Sequence, residues 1–145
     1  MKNAELIKTT ARLLNPHKVD DRTFGNVAAT IVTDKGNLYS GVCIDTGSGT
    51  GFCAEAAAIA SMVTAREYKI RKVIAVWKDS AGTVHAVPPC GRCREFIRQI
   101  DDSNLEAEIV LGRNESARLE ELLPHHDWPK TRSASRKRRN VSERS

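Results

Sequence analysis

The chain reads as a single α/β domain in which a mixed sheet carries helices on both faces. Three observations lead there. Strand-like apolar runs alternate with helical stretches along the chain. The first two runs, Val27 to Thr33 and Leu38 to Ile44, are parted only by Asp34-Lys35-Gly36-Asn37, a turn signal that makes them an antiparallel hairpin. A length of 145 residues is enough for one ordinary domain with a core and too short for two.

Taken in order, residues 3 to 14 place Leu6, Ala11, Leu13 and Leu14 in a helical pattern that stops before Asn15-Pro16, because proline disfavours helix in the residue ahead of it. The hairpin follows, and then Gly47-Ser48-Gly49-Thr50-Gly51 as a permissive loop. From Cys53 to Tyr68 an alanine-rich stretch with Ile59, Met62 and Val63 predicts a helix with Cys53 and Glu55 in its first turn. Val73 to Trp77 reads as a buried strand, and Val84 to Val87 pairs after the turn Ser80-Ala81-Gly82, until Pro88-Pro89 stops it. Arg92 to Ile100 is a further helix, Glu108 to Leu111 a last strand, and Ser116 to Leu122 a short helix before Pro124.

Composition narrows the setting. Hydrophobic residues make up 40% of the chain, yet no run of about 18 apolar residues exists for a membrane span. The start, Met1-Lys2-Asn3-Ala4-Glu5, has no signal-peptide pattern, so a cytoplasmic location is expected. In that reducing setting four cysteines are better metal ligands or core residues than disulfides. The formal charge of +5 would hint at nucleic acid were it spread over the fold. Residues 129–145 hold seven Lys or Arg against one Glu, a net of +6, which leaves −1 for residues 1–128. The expected globular domain, residues 1–128, thus offers no charge-based case for a phosphate backbone. The tail, 129–145, lacks apolar periodicity and reads as disordered in isolation, and its run Arg136-Lys137-Arg138-Arg139 as a solvated charge cluster.

The chemistry concentrates in Cys53-Ala54-Glu55 and, further on, Pro89-Cys90-Gly91-Arg92-Cys93. A structural zinc closes its tetrahedron with four protein ligands, whereas a catalytic zinc keeps three and leaves one position for water. Cys53, Cys90 and Cys93 make three, and Glu55 is a carboxylate fixed beside them. Helix starts suit such ligands, since exposed N–H groups and the helix dipole stabilise thiolates.

Cys-x-Glu followed by Pro-Cys-x-x-Cys resembles the zinc-dependent nucleobase deaminases, in which the glutamate shuttles protons and is not a ligand. The all-cysteine set is similar to the free-nucleoside branch, the cytidine deaminases and blasticidin-S deaminases. Cys90-Gly91-Arg92-Cys93-Arg94 and Glu121-Leu122-Leu123-Pro124 resemble further landmarks of that branch in the same order, over roughly residues 26 to 128. The resemblance implies a three-layer α/β/α sandwich with a mixed sheet of about five strands, one Zn²⁺ per chain on the three cysteines, and a homotetramer. It implies hydrolytic deamination of a cytosine nucleoside or a related aminopyrimidine, with a blasticidin-S-like antibiotic as the alternative substrate. In that scheme Glu55 moves the protons, the Ala54 amide binds the base carbonyl, and the Pro88 carbonyl receives the leaving amine, a role for which proline keeps the needed C=O. Arg92 and Arg94 would offset the negative charge of three thiolates, because the Arg that usually follows the glutamate is Ala56 here.

Departures from the family pattern fall on the sugar side. The segment Gly-Val-Asn-Val-Glu-Asn, whose Asn and Glu hold the ribose, is Gly41-Val42-Cys43-Ile44-Asp45-Thr46 here. Cys43 lacks the donor and acceptor capacity of an amide, and Asp45 accepts from a shorter side chain. Phe24 stands one position earlier than the usual Phe. Phe52 would wall the pocket or fill core, and Trp128 would close over the pocket or pack against the first helix. Cys43 read alone is a small buried residue at a strand end. His85, His125 and His126 read as surface groups, one of which could complete a closed structural site. The rival from another class is a binding protein with such a closed zinc, whose basic tail contacts RNA or DNA.

Overall fold

The computed structural model describes residues 1–129; the Arg136–Arg139 run and the rest of the tail expected to be disordered lie outside the described residues. The elements run α1 (Asn3–Ala11), β1 (His17–Val19), β2 (Arg22–Thr33), β3 (Leu38–Asp45), α2 (Ala54–Thr64), β4 (Ile70–Lys78), β5 (Val84–Ala86), α3 (Gly91–Ile100), a 3₁₀ turn (Asp102–Glu106), β6 (Glu108–Gly112), β7 (Glu115–Arg118) and α4 (Leu119–Leu122). Seven strands form one sheet among the described residues, rather than about five. The difference is physical. Five rows run β3-β2-β4-β6-β7, while the three-residue β1 and β5 pair with the ends of β2 and β4. The sheet is mixed because β4 and β6 lie parallel, with Val73 opposite Ile109, and the other pairs are antiparallel.

Alternate residues feed two cores, as a pleated strand requires. Ile31, Val73 and Ile109 face α2 and α3, where they pack with Ile59, Met62 and Ile97. Ala28, Val32, Ile74 and Val110 face the other way and are covered by Leu6 and Ile7 of α1. Burying a side chain such as Ile59 or Met62 contributes about 1.5–3 kcal/mol. The sandwich is thus closed on both faces, and its middle layer fixes where α2 and α3 begin.

Close approach of α2 depends on small residues. A Cβ on Gly41 of β3 would sit 2.5 Å from the Ala57 Cβ and 2.7 Å from the Ala58 nitrogen. The glycine and the alanine run of α2 therefore match, and the helix start is held against the sheet.

Boundaries depart from the sequence pattern where local signals are weak. The helix expected over residues 3 to 14 ends at Ala11 and finishes in turn-like bonds from Leu13 N to Thr10 O and Leu14 N to Ala11 O. The helix from Cys53 stops at Thr64, near Arg66, whose φ of 64° breaks the helical path. Residues 116–118, expected to open a helix, belong instead to β7 because they pair with β6, Ala117 opposite Ile109, and the helix is only Leu119–Leu122.

Candidate active site

Cys53 is the residue just before α2, and Cys90 holds the same place before α3, each with extended backbone. Neither side chain caps its own helix, so both sulfurs are left to converge between the two helix starts. Cys93 lies in the first turn of α3 and is buried. The approach to Cys53 is pinned: Ile44 and Phe52 exchange backbone bonds of 3.0 and 2.9 Å, and a Cβ on Gly51 would fall 2.0 Å from the Ile44 oxygen.

The three Sγ atoms lie within 4.8 Å of one another, and those of Cys53 and Cys90 are 3.5 Å apart. Tetrahedral zinc with Zn–S bonds of about 2.3 Å needs sulfurs about 3.8 Å apart. The donor set fits that ion. Among the described residues no fourth ligand atom from His, Cys, Asp or Glu joins the group, which leaves His85, His125 and His126 outside it. His85 instead bonds Asp79 at 2.7 Å, and His126 approaches Asp127 at 3.1 Å.

Electrostatics point the same way. Burial pushes the Cys93 thiol up, and the Glu55 carboxylate and the other two sulfurs add to the push. Burial also raises Cys53. For Cys90 burial is outweighed by the Cys93 backbone N–H and the neighbouring sulfurs, and its thiol is lowered. Burial thus works against the thiolate form at Cys53 and Cys93, opposite to the pull expected of a helix start. A cation among them resolves the conflict, since metal binding and deprotonation are coupled.

Glu55, in the first turn of α2, is 4% exposed. Its carboxyl is raised by burial, partly opposed by a backbone hydrogen bond, and it makes no side-chain hydrogen bond among the described residues. Ala54 is buried and opens α2, where the first backbone N–H groups have no partner within the helix. Pro88 is exposed just ahead of Cys90, after Val87 donates to the Ala75 oxygen at 2.9 Å.

A cleft of about 340 Å³ opens beside Cys53, walled by Asn26, Cys43, Asp45, Phe52 and Arg92. Cys43 is nearly buried, Asp45 is exposed, and Phe52 is 37% exposed. Arg94 is committed elsewhere: its guanidinium donates to the Pro89 oxygen at 2.9 Å and the Leu122 oxygen at 3.1 Å, which ties the start of α3 to α4. Among the described residues neither Arg92 nor Arg94 hydrogen-bonds a cysteine sulfur or Glu55. Trp128 is 89% exposed and does not line the cleft.

Sequence reasoning missed Asn26. It arrives through an irregularity in β2, where four steps from Phe24 to Ala28 are matched by only two on β3, from Ile44 to Val42. Gly25 makes this possible with a φ of 77°, and its carbonyl accepts from Asn15 N at 3.0 Å. The displaced Phe24 is the trace of this bulge that the sequence carries.

With this geometry in view, the comparisons with known proteins converge. The profile of the cytidine and deoxycytidylate deaminase zinc-binding region matches residues 1–109. The blasticidin-S deaminase of Bacillus cereus is 32% identical over 104 residues, covering 68% of this chain and 74% of that protein. Cytidine deaminase from Mycobacterium tuberculosis superposes with a TM-score of 0.67 at 22% identity, over 84% of this chain and 94% of its own. The enzyme from Burkholderia pseudomallei gives 0.68 at 22%, over 86% and 98%. The fold expected from the sequence is the fold these structures share, and the chain belongs to the cytidine and deoxycytidylate deaminase zinc-binding family.

Proposed function

We propose that this chain deaminates a cytosine nucleoside, or a closely related aminopyrimidine, by hydrolysis with Glu55 as proton carrier. One observation carries the reading: a buried carboxyl without a side-chain partner stands two residues from Cys53, beside three sulfurs that leave a metal one open position. Zinc on Cys53, Cys90 and Cys93 would supply the Lewis acidity that lets water act as a nucleophile at neutral pH. Glu55 takes one proton from water and gives it to ring N3, then takes the second from the C4 hydroxyl of the hydrated ring and gives it to the amine, so that the C4–N bond breaks, ammonia leaves and C4 becomes a carbonyl. The Ala54 N–H holds the base carbonyl, and the Pro88 C=O accepts from the departing amine. Arg92, Cys43, Asp45 and Phe52 line the side where the rest of the substrate lies, and Arg94 acts from a distance on the charge of the thiolates. Trp128 would contact substrate only by moving from its exposed position.

A second substrate reading, an antibiotic of the blasticidin-S type, is supported by the 32% identity to blasticidin-S deaminase and by Cys43 and Asp45 at the ribose-holding positions. The deaminase domain would span residues 1–128, with the basic tail dispensable for chemistry. A homotetramer follows from the family resemblance. Four free cysteines support a reducing, cytoplasmic setting, and no helix among the described residues is long and apolar enough to cross a membrane. The three-sulfur group supports an open metal site over a closed structural zinc with a tail that binds nucleic acid. Ammonia release from cytosine, cytidine, deoxycytidine and blasticidin S tests the proposal. Turnover of at least one is expected, and none with zinc-loaded protein would overturn it.

A further inference from the structure

We infer that Asn26 is a specificity-determining residue, its amide donating from β2 to the sugar hydroxyl that Cys43 on β3 cannot serve. The inference rests on the deamination reading above and deepens it. Cys43 occupies the position of the family's ribose-holding Asn, and a thiol is a weak donor and acceptor. The Cys43 sulfur is also engaged. It accepts from Val27 N at 3.3 Å and gives its proton to Asn26 Oδ1 at 2.7 Å. The one donor of Cys43 is thus committed, and only a weak acceptor site on its sulfur remains.

The same contact orients Asn26. With Oδ1 taken by the thiol, Nδ2 is the free end of the amide, and it makes no hydrogen bond among the described residues. Asn26 lines the cleft that Cys53, Phe52 and Asp45 also line, so the uncommitted end of its amide belongs to a residue on the wall of the space beside the metal group. The backbone holds it there by design of sequence: the bulge between Phe24 and Ala28 re-aims the side chain, and Gly25, whose added Cβ would lie 2.8 Å from the Asn15 oxygen, fixes the bulge. An amide lost from one strand is thus regained from its neighbour, with the cysteine as its orienting support.

The test compares cytidine with 2′,3′-dideoxycytidine in wild type, Asn26→Asp and Asn26→Ala, following ammonia and measuring zinc content and thermal stability on the same samples. Asn26→Asp keeps the size and the Oδ1 acceptor, loses the donors and adds a negative charge, so Asn26→Ala, which adds none, separates loss of the donors from the charge. Both variants should retain one zinc per chain. On cytidine each should raise KM about tenfold with kcat within about threefold, as expected for a contact made equally in ground and transition states. On the dideoxy compound, which lacks the 2′ and 3′ hydroxyls that the Asn26 amide would serve, KM should be unchanged. Unchanged KM for cytidine, or an equal rise on both nucleosides, would overturn the inference while wild-type turnover leaves the deamination reading standing. Absence of wild-type turnover on both nucleosides would sink the ribose contact together with the cytosine-nucleoside reading.

Discussion

Two buried glutamates stand near the two ends of α2, and their surroundings give them opposite characters. Glu67, 7% exposed and three residues past the helix, accepts at Oε2 from the Tyr39 hydroxyl and from Asn37 Nδ2 at 2.8 Å. The Tyr39 hydroxyl, with Asn37 assisting, outweighs burial and holds Glu67 below the usual carboxylate range. Glu55, 4% exposed at the other end, has burial as the dominant influence and is raised. A carboxylate with donors is a fixed charge that joins the β2–β3 hairpin to the end of α2. A carboxyl with only a backbone donor, beside three sulfurs, has burial as its larger influence and its neutral form favoured, as the proposed proton carrier requires. Burial alone therefore does not separate the two carboxyls; the side-chain donors on Glu67 Oε2 do, even though its Oε1 is left without a partner.

The comparison can be broken most severely at the sulfurs. Replacing Cys90 and Cys93 together by serine should abolish zinc binding and turnover and lower thermal stability, because the metal links α2 to α3. Stoichiometric zinc by atomic absorption in that double variant would refute the ligand assignment. At the other end of α2 the expected effect is on stability and not on chemistry. Glu67→Gln and Tyr39→Phe should each lower Tm by a few degrees, since hydrogen bonds to a buried carboxylate are lost or weakened, while kcat stays within about twofold. A large kcat loss in either would show that the two ends of the helix are coupled.

Acid sharpens the contrast. A carboxylate whose folded pKa is lowered stabilises the fold above its unfolded value, near 4.5, and that contribution is lost as pH falls through the lower folded value. Thermal unfolding of wild type should therefore weaken below about pH 4.5, and Glu67→Gln should weaken less over the same range. Parallel acid limbs in the two proteins would remove Glu67 from the account. The smallest effect is expected from the tail: truncation after Trp128 should leave kcat and zinc content unchanged, measured against the full chain. A loss of either would place the tail on the domain.

Much of this arrangement is legible in the sequence because it is local. Cys53 and Glu55 are two residues apart, Cys90 and Cys93 three apart, and helical propensity places each pair at a helix start. The central strands are legible from their apolar runs. By contrast, β1 and β7 are short and polar, and they become strands only through the neighbours they pair with, as in Lys18 opposite Thr23 and Ser116 opposite Val110. Asn26 is illegible for a related reason: its orientation comes from a bulge, defined by the register of β2 on β3 and not by any run of residues. Glu67 carries no motif, and its partner Tyr39 lies 28 positions away across the hairpin.

The central claim is that Glu55, the glutamate raised by burial beside the sulfurs, is the one that carries the proton. Its most direct test is kcat and zinc content of Glu55→Gln on the best substrate found, with Glu67→Gln prepared alongside. The amide keeps the shape of Glu55 and cannot carry protons, so zinc should stay at one per chain while kcat falls by about 10²-fold or more, with Glu67→Gln near wild type. A Glu55→Gln protein that holds zinc and turns over within a few-fold of wild type would contradict the account.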